Sequence, residues 1–201
     1  MPISKPIPKP RLASLLLIAL LSPVALAQRP PAPTLPPLPG SLAEHPIWPT
    51  AQPSDVQSID AIVSALYDVI SGPRGQARDW NRMRSLFLPD AHLVPARAER
   101  DPHRADAVML TIDGYIQRAT PATAANGFFE HGIHNQVEEF GSIAHVWSTY
   151  ETRHASSDAR PFTRGINSIQ LLKSGGRYYI VEVLWDAETT ADPLPPKYLP
   201  K

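Results

Sequence analysis

Residues 162–187 read FTRGINSIQLLKSGGRYYIVEVLWDA, and their two-residue period on either side of Ser174-Gly175-Gly176 decides the fold. Alternation of apolar and polar residues is strand patterning, and glycines between two such runs are hairpin chemistry. Two more long strands can be read upstream, at 128–139 and 142–155, interrupted at Gly141 and at Ser156-Ser157-Asp158. With strands at 162–173 and 177–187, the short connections make successive neighbours antiparallel. A different period precedes them. Val56, Ile59, Val63, Leu66 and Ile70 recur at helical spacing, with Ser54 and Gln57 placed as a capping box. A shorter helix runs from Asp79 to Pro89, with Trp80, Met83 and Phe87 towards a core. His92-Leu93-Val94 is strand-like, and a third helix opens at Thr111 with Ile112, Tyr115 and Ile116 as its apolar positions. Helices first and a strand meander afterwards is an α+β order, with the helices on one sheet face.

The flanks have another character. Lys5, Lys9 and Arg11, the apolar run Leu12 to Leu21 and the small-residue stretch Ala25-Leu26-Ala27 predict a cleavable export signal over 1–27. The run is shorter than the roughly 20 residues a membrane span needs, so no membrane association is expected after cleavage. A proline-rich linker is expected over 28–53, with nine prolines from Pro30 to Pro53, then a folded domain over 54–190 and a proline-rich tail over 191–201.

Composition removes several chemistries. The chain has no Cys, hence no disulfide, thiolate nucleophile or cysteine metal site. Cleavage would remove three basic residues from 19 basic and 19 acidic, leaving 16 against 19, a net charge of −3. That argues against nucleic acid as a partner. His131, His134 and His145 lack a compact ligand spacing, so no metal is expected. Export also makes cytoplasmic cofactors such as nicotinamides or ATP unexpected, and no cofactor is assigned.

Several stretches together resemble the nuclear-transport-factor-2-like superfamily and its SnoaL-like exported branch. They are Phe87-Leu88-Pro89-Asp90-Ala91, Phe140-Gly141-Ser142-Ile143-Ala144-His145-Val146, Arg164 to Leu171, and Tyr178-Tyr179-Ile180-Val181. The resemblance covers about 54–188. It implies a strongly curved, cone-shaped antiparallel sheet with N-terminal helices closing a pocket, and often a homodimer through the outer sheet face. Members include isomerases, dehydratases, epoxide hydrolases and polyketide cyclases beside proteins that only bind ligands, so fold alone does not settle function.

Strand alternation places candidate residues. If residue 173 faces 177, then Asn167 lies opposite Val183, and Gly165, Asn167, Ile169, Leu171, Tyr179, Val181, Val183 and Trp185 share an inner face. Asn167 is the polar exception there, serving either a structural network or a ligand. Phe129, His131, Ile133 and Val137 are expected inward on the first long strand, and His145 sits on the next. Both histidines are acid–base candidates, with core or interface histidines as the alternative. Tyr67-Asp68, His131, His145 and Asn167 invite comparison with cone-shaped dehydratases, but helical geometry turns Asp68 to solvent. Ketosteroid-isomerase-like relatives need an inward carboxylate. Glu139 and Glu151 are the candidates, and both lie near strand ends. Arg164 and Asp186 are expected to pair on the outer face beside Ile166 and Leu184, a face that could also carry a dimer.

Three functions remain open. The first is an exported protein binding a small apolar or mixed-polarity molecule through Tyr67, Tyr115, His131, Asn167 and Trp185. The second is a cofactor-free isomerase, dehydratase or hydrolase with His131 or His145 moving the proton. The third is a structural or partner-binding dimer with a filled core.

Overall fold

A computed structural model describes residues 36–98 and 105–201. The expected export signal and the first part of the expected linker lie outside these residues. Order begins before Ser54. Trp48 donates its indole N–H to the Arg84 and Phe87 carbonyls, both at 3.1 Å, and Ala51 is buried. A short helix α1 (Pro53–Val56) precedes α2 (Ile59–Ile70). The two do not merge into the continuous helix expected from Ser54. Ser58 is extended and its hydroxyl accepts from the Ala61 amide at 3.1 Å, so Ser58 is the cap that starts the long helix. The apolar stripe itself is as expected, with Val56, Ile59, Val63, Leu66 and Ile70 all buried.

Helix α3 (Trp80–Leu86) is capped by Asp79, which accepts from the Arg82 amide. It ends three residues before Pro89, which lies inside strand β1 (Phe87–Ala98). The residue before a proline is biased out of the helical region, so Leu88 favours extension. Strands β2 (Ala105–Ala107) and β3 (Leu110–Thr111) pair with β1, and Thr111 caps α4 (Ile112–Ala125). Then come the four long strands β4 (Phe129–Phe140), β5 (Ile143–Arg153), β6 (Thr163–Ser174) and β7 (Arg177–Ala187).

The sheet order is β2-β1-β7-β6-β5-β4, with β3 against β1. The four-strand meander is antiparallel as expected. The β1–β7 pair is parallel, because the two strands are linked by the whole of β2 to β6 rather than by a turn. Register breaks occur between Phe87 and His92, Gly132 and His134, and Gln170 and Leu171. Such breaks bend strands, and the sheet is curved and unclosed. Helix α2 packs on β4 and β7, and the core between helices and sheet holds Ile62, Met83, Leu86, Phe87, Val146, Ile169 and Ile180, none with measurable exposure.

The C-terminal segment is proline-rich but does not behave as a free tail. Leu194 is buried and its amide donates to Glu188. Thr149 donates to the Tyr198 carbonyl at 2.7 Å, and the Tyr198 ring lies 5.8 Å from Trp147 on the outer face of β5. Apolar rings and a satisfied carbonyl hold it there. Also on the outer face, Arg164 pairs with Glu188 at 2.8 Å rather than with Asp186. In the observed register Asp186 faces Ile166, and its carboxylate accepts from the next amide, that of Ala187.

Candidate active site

Two bulges decide which side chains face the helices. Directly paired residues of an antiparallel ladder share a face. On β4, Glu130 pairs with Thr152 and Gly132 with Tyr150, and both partners are buried. Glu130 and Gly132 therefore point inward. His131 pairs with Glu151 and is exposed. Ile133 is left out of the ladder, which moves Val137 and Glu139 onto the inner face with Val146 and Ala144. The expected inward set Phe129, His131 and Ile133 is thus out of phase below the bulge, while Val137 is in phase above it. The signal was Gly132: a glycine within a strand pattern marks a bulge or a close approach. A Cβ at Gly132 would lie 3.1 Å from the Tyr67 ring.

The β6–β7 hairpin holds two offsets. Gly175 and Gly176 both have positive φ and form a two-residue turn, so Ser174 faces Arg177 and Lys173 faces Tyr178, not 177. Val181 is then skipped, and Asn167 faces Trp185. Two one-residue shifts restore the parity. Gly165, Asn167, Ile169, Leu171, Val183 and Trp185 lie inward as expected, but Tyr178 and Ile180 take the inner places assigned to Tyr179 and Val181. Tyr178 and Ile180 are buried, whereas Val181 is exposed.

The inner face and α2, α3 and α4 enclose a cavity of about 440 Å³. Its wall is mostly apolar, with Leu66, Met83, Leu93, Val183 and Trp185 among the lining, and carries Glu130, Tyr115, Tyr150, Thr152 and Asn167 as polar groups. Glu130 accepts from the Thr152 hydroxyl at 2.8 Å. Burial pushes its carboxyl up to about 7, against the opposing pull of the Thr152 and Asn167 side chains. Three tyrosines feel its charge. Burial raises Tyr67, Tyr115 and Tyr150, and the Glu130 carboxylate raises each further.

Asn167 lies on the cavity wall and is also held from behind. Its amide donates to the Tyr67 hydroxyl at 3.1 Å, and Tyr67 shares a 2.6 Å hydrogen bond with Ser148. Tyr67, pushed up to about 12 mainly by burial, stays a neutral phenol. It does not line this cavity; it fixes the residue that does. Tyr115 and Tyr150 line the cavity, their hydroxyls have no hydrogen-bond partner among the described residues, and the Tyr115 ring meets Trp185 edge-on at 6.4 Å.

Of the residues expected from sequence, Tyr115, Asn167 and Trp185 come together here. His131 instead lines a second depression with Ser64, Tyr67, Asp68 and Arg153, which meets the cavity only at Glu130. His145 is on the outer face, sharing a 3.0 Å hydrogen bond with Ser168 and packed edge-on to Trp147. Neither histidine lines the cavity. Of the carboxylates expected near the pocket, Glu139 accepts from Tyr178 and Glu151 pairs with Arg153, so both are occupied. Asp68 faces solvent and pairs with Arg82. Among the described residues no three His, Asp or Glu side chains converge as metal ligands would.

Gly165 gives Tyr150 its position. A Cβ there would lie 2.5 Å from the Tyr150 hydroxyl and would overlap the Asp186 carbonyl. Gly165→Ala is expected to destabilise the fold by about 1–3 kcal/mol and to displace Tyr150, as an overpacked core does. A thermal midpoint within 1 °C of the parent's would contradict this close approach.

No protein-family model matches the chain, and no curated protein does. Solved structures do. A nuclear-transport-factor-2-like protein of unknown function from Silicibacter pomeroyi is 17% identical, with 74% of this chain and 99% of that one covered and a TM-score of 0.45. One of unknown function from Shewanella baltica is 16% identical over 66% and 92%, with a TM-score of 0.45. A candidate ketosteroid isomerase from Kribbella flavida is 13% identical over 73% and 89%, with a TM-score of 0.41. In fold, this chain is similar to nuclear-transport-factor-2-like proteins.

Proposed function

We propose that the cavity binds a small, largely apolar molecule and moves a proton on it, with Glu130 as a cofactor-free acid–base group. One observation carries this reading: an apolar wall holds a single carboxyl whose affinity for a proton is raised to about 7. A carboxyl in that range can take a proton from carbon and return it elsewhere near neutral pH, the chemistry of an isomerase. The unpartnered Tyr115 and Tyr150 hydroxyls are placed to donate to oxygen charge as it develops. Asn167, braced by Tyr67, orients the carboxylate. Reading residues 1–27 as an export signal puts this reaction outside the cytoplasm, and Glu130 needs no cofactor to perform it.

A substrate-independent probe tests the base. 5-Nitrobenzisoxazole is small and apolar, and removal of its ring C–H proton expels the oxygen as a phenolate in one step. The protein should accelerate this elimination, with the rate rising through about pH 7 as Glu130 ionises. Glu130→Gln should lower that rate at least 100-fold, the lower range for general base catalysis. A variant that retained the rate, or a flat pH profile, would leave a binding pocket without proton transfer.

A further inference from the structure

The cavity has a second charged wall residue. Arg118 stands on α4 one turn beyond Tyr115 and lines the same cavity beside Ala119 and Ala122. It is also solvent-exposed, which places it at the mouth. The other described arginines are engaged or lie away from the cavity: Arg177 donates to the Ser85 carbonyl, and exposed Arg74 and Arg160 are not among its lining. Arg82, Arg84, Arg153 and Arg164 each pair with a carboxylate, and Arg78 is saturated by backbone carbonyls. Arg118 makes no ion pair or side-chain hydrogen bond among the described residues. Glu130 is not its partner either, because the groups that act on Glu130 are Thr152 and Asn167.

Taking the cavity as a ligand site, we propose that its ligand is an apolar molecule bearing one carboxylate, seated with the carboxylate on Arg118 at the mouth and the apolar body against Leu93, Val183 and Trp185. A guanidinium matches a carboxylate bidentately, and its position at the rim leaves the ligand's charge partly hydrated. Orientation follows from charge. A carboxylate directed inward would meet Glu130 in an apolar surround, where like charges repel strongly. One directed outward meets Arg118 and leaves the apolar end, with its carbon-bound protons, beside Glu130. The cavity's volume suits a two-ring or similar small molecule.

Calorimetric titration of the full chain at pH 8 and low salt with 2-naphthoate and 2-naphthamide tests this. The two probes have nearly the same shape and differ in charge. Naphthoate should bind at least ten-fold more tightly than the amide, and Arg118→Gln should bring the two within about two-fold of each other. Added salt should narrow the difference, since a rim charge is screened. Equal affinities in the parent, naphthoate that fails to bind, or a preference that survives Arg118→Gln would each overturn the proposal. Glu130→Gln separates the two readings. Loss of the elimination rate with the charge preference intact supports both, whereas an intact rate with that preference retained overturns proton transfer alone.

Discussion

Glu130→Gln is expected to stabilise the fold at pH 8 by about 3 kcal/mol and to leave it nearly unchanged at pH 4. In the folded protein the carboxyl holds its proton to about pH 7, whereas its ordinary value is 4.5. Between those values the folded state binds more protons than the unfolded one, so stability falls as pH rises from about 4.5 to 7 and is level above that. The rise from 4.5 to about 7, at about 1.36 kcal/mol per tenfold change in proton affinity, sets the magnitude. Glutamine is neutral at every pH and keeps an oxygen for the Thr152 hydroxyl. The variant should therefore lack this descending limb. The groups around Glu130 offer no compensating charge: Thr152 and Tyr150 from β5, Asn167 from β6, Tyr67 from α2 and Tyr115 from α4 are all neutral. Urea midpoints at pH 4 and 8 check it, and parallel pH profiles for parent and variant would refute it. A residue that costs stability at working pH and faces a cavity is the signature expected of a functional group.

The second large effect lies below the cavity. Arg78→Met should destabilise the protein by about 3–5 kcal/mol, in the range seen when a buried charged network loses one member. Arg78 is only 7% exposed and has no carboxylate partner. Its guanidinium instead donates to the carbonyls of Ile70 at 3.0 Å, Gly72 at 2.7 Å, Gln76 at 2.7 Å and Pro73 at 3.4 Å. These are the end of α2 and the turn after it, so one side chain ties together a segment with no ladder of its own beyond the Gly72–Phe128 bridge. Methionine fills similar volume but leaves buried carbonyls unpaired, each at about 1–3 kcal/mol. Exposed Arg160 is the control, and Arg160→Met should stay within about 0.5 kcal/mol of the parent. Equal midpoints for the two variants in urea would show that solvent reaches those carbonyls. Since Trp80 and Phe128 line the cavity from this region, loosening it should also weaken ligand binding.

Much of this molecule is legible in residue order. The stripe Val56 to Ile70, the cap at Thr111, the four long strands and the turn at Gly175-Gly176 all follow from local rules: helical and strand periods, side-chain caps, and glycine at positive φ. Asn167 and Trp185 are found by parity alone, because the two offsets in their hairpin cancel. The histidines show where local rules stop. A single skipped residue, Ile133, inverts the phase of β4, and alternation cannot say where a strand will skip. His131 and Glu130 are adjacent, so the choice between them rests entirely on that phase.

Local sequence thus determined the α+β order, the strand boundaries to within two residues and the apolar stripe of α2, since each depends on neighbours within a few positions. Tertiary structure decided the parallel β1–β7 pair, the docking of Trp48 and Tyr198, and the carbonyl cage around Arg78. It also decided that the inward acid is Glu130. Those features depend on contacts between residues far apart in the chain, and on burial that changes a carboxyl's chemistry without changing its identity. A glutamate in a strand is ordinary until the sheet bends around it and water is withdrawn from its side chain.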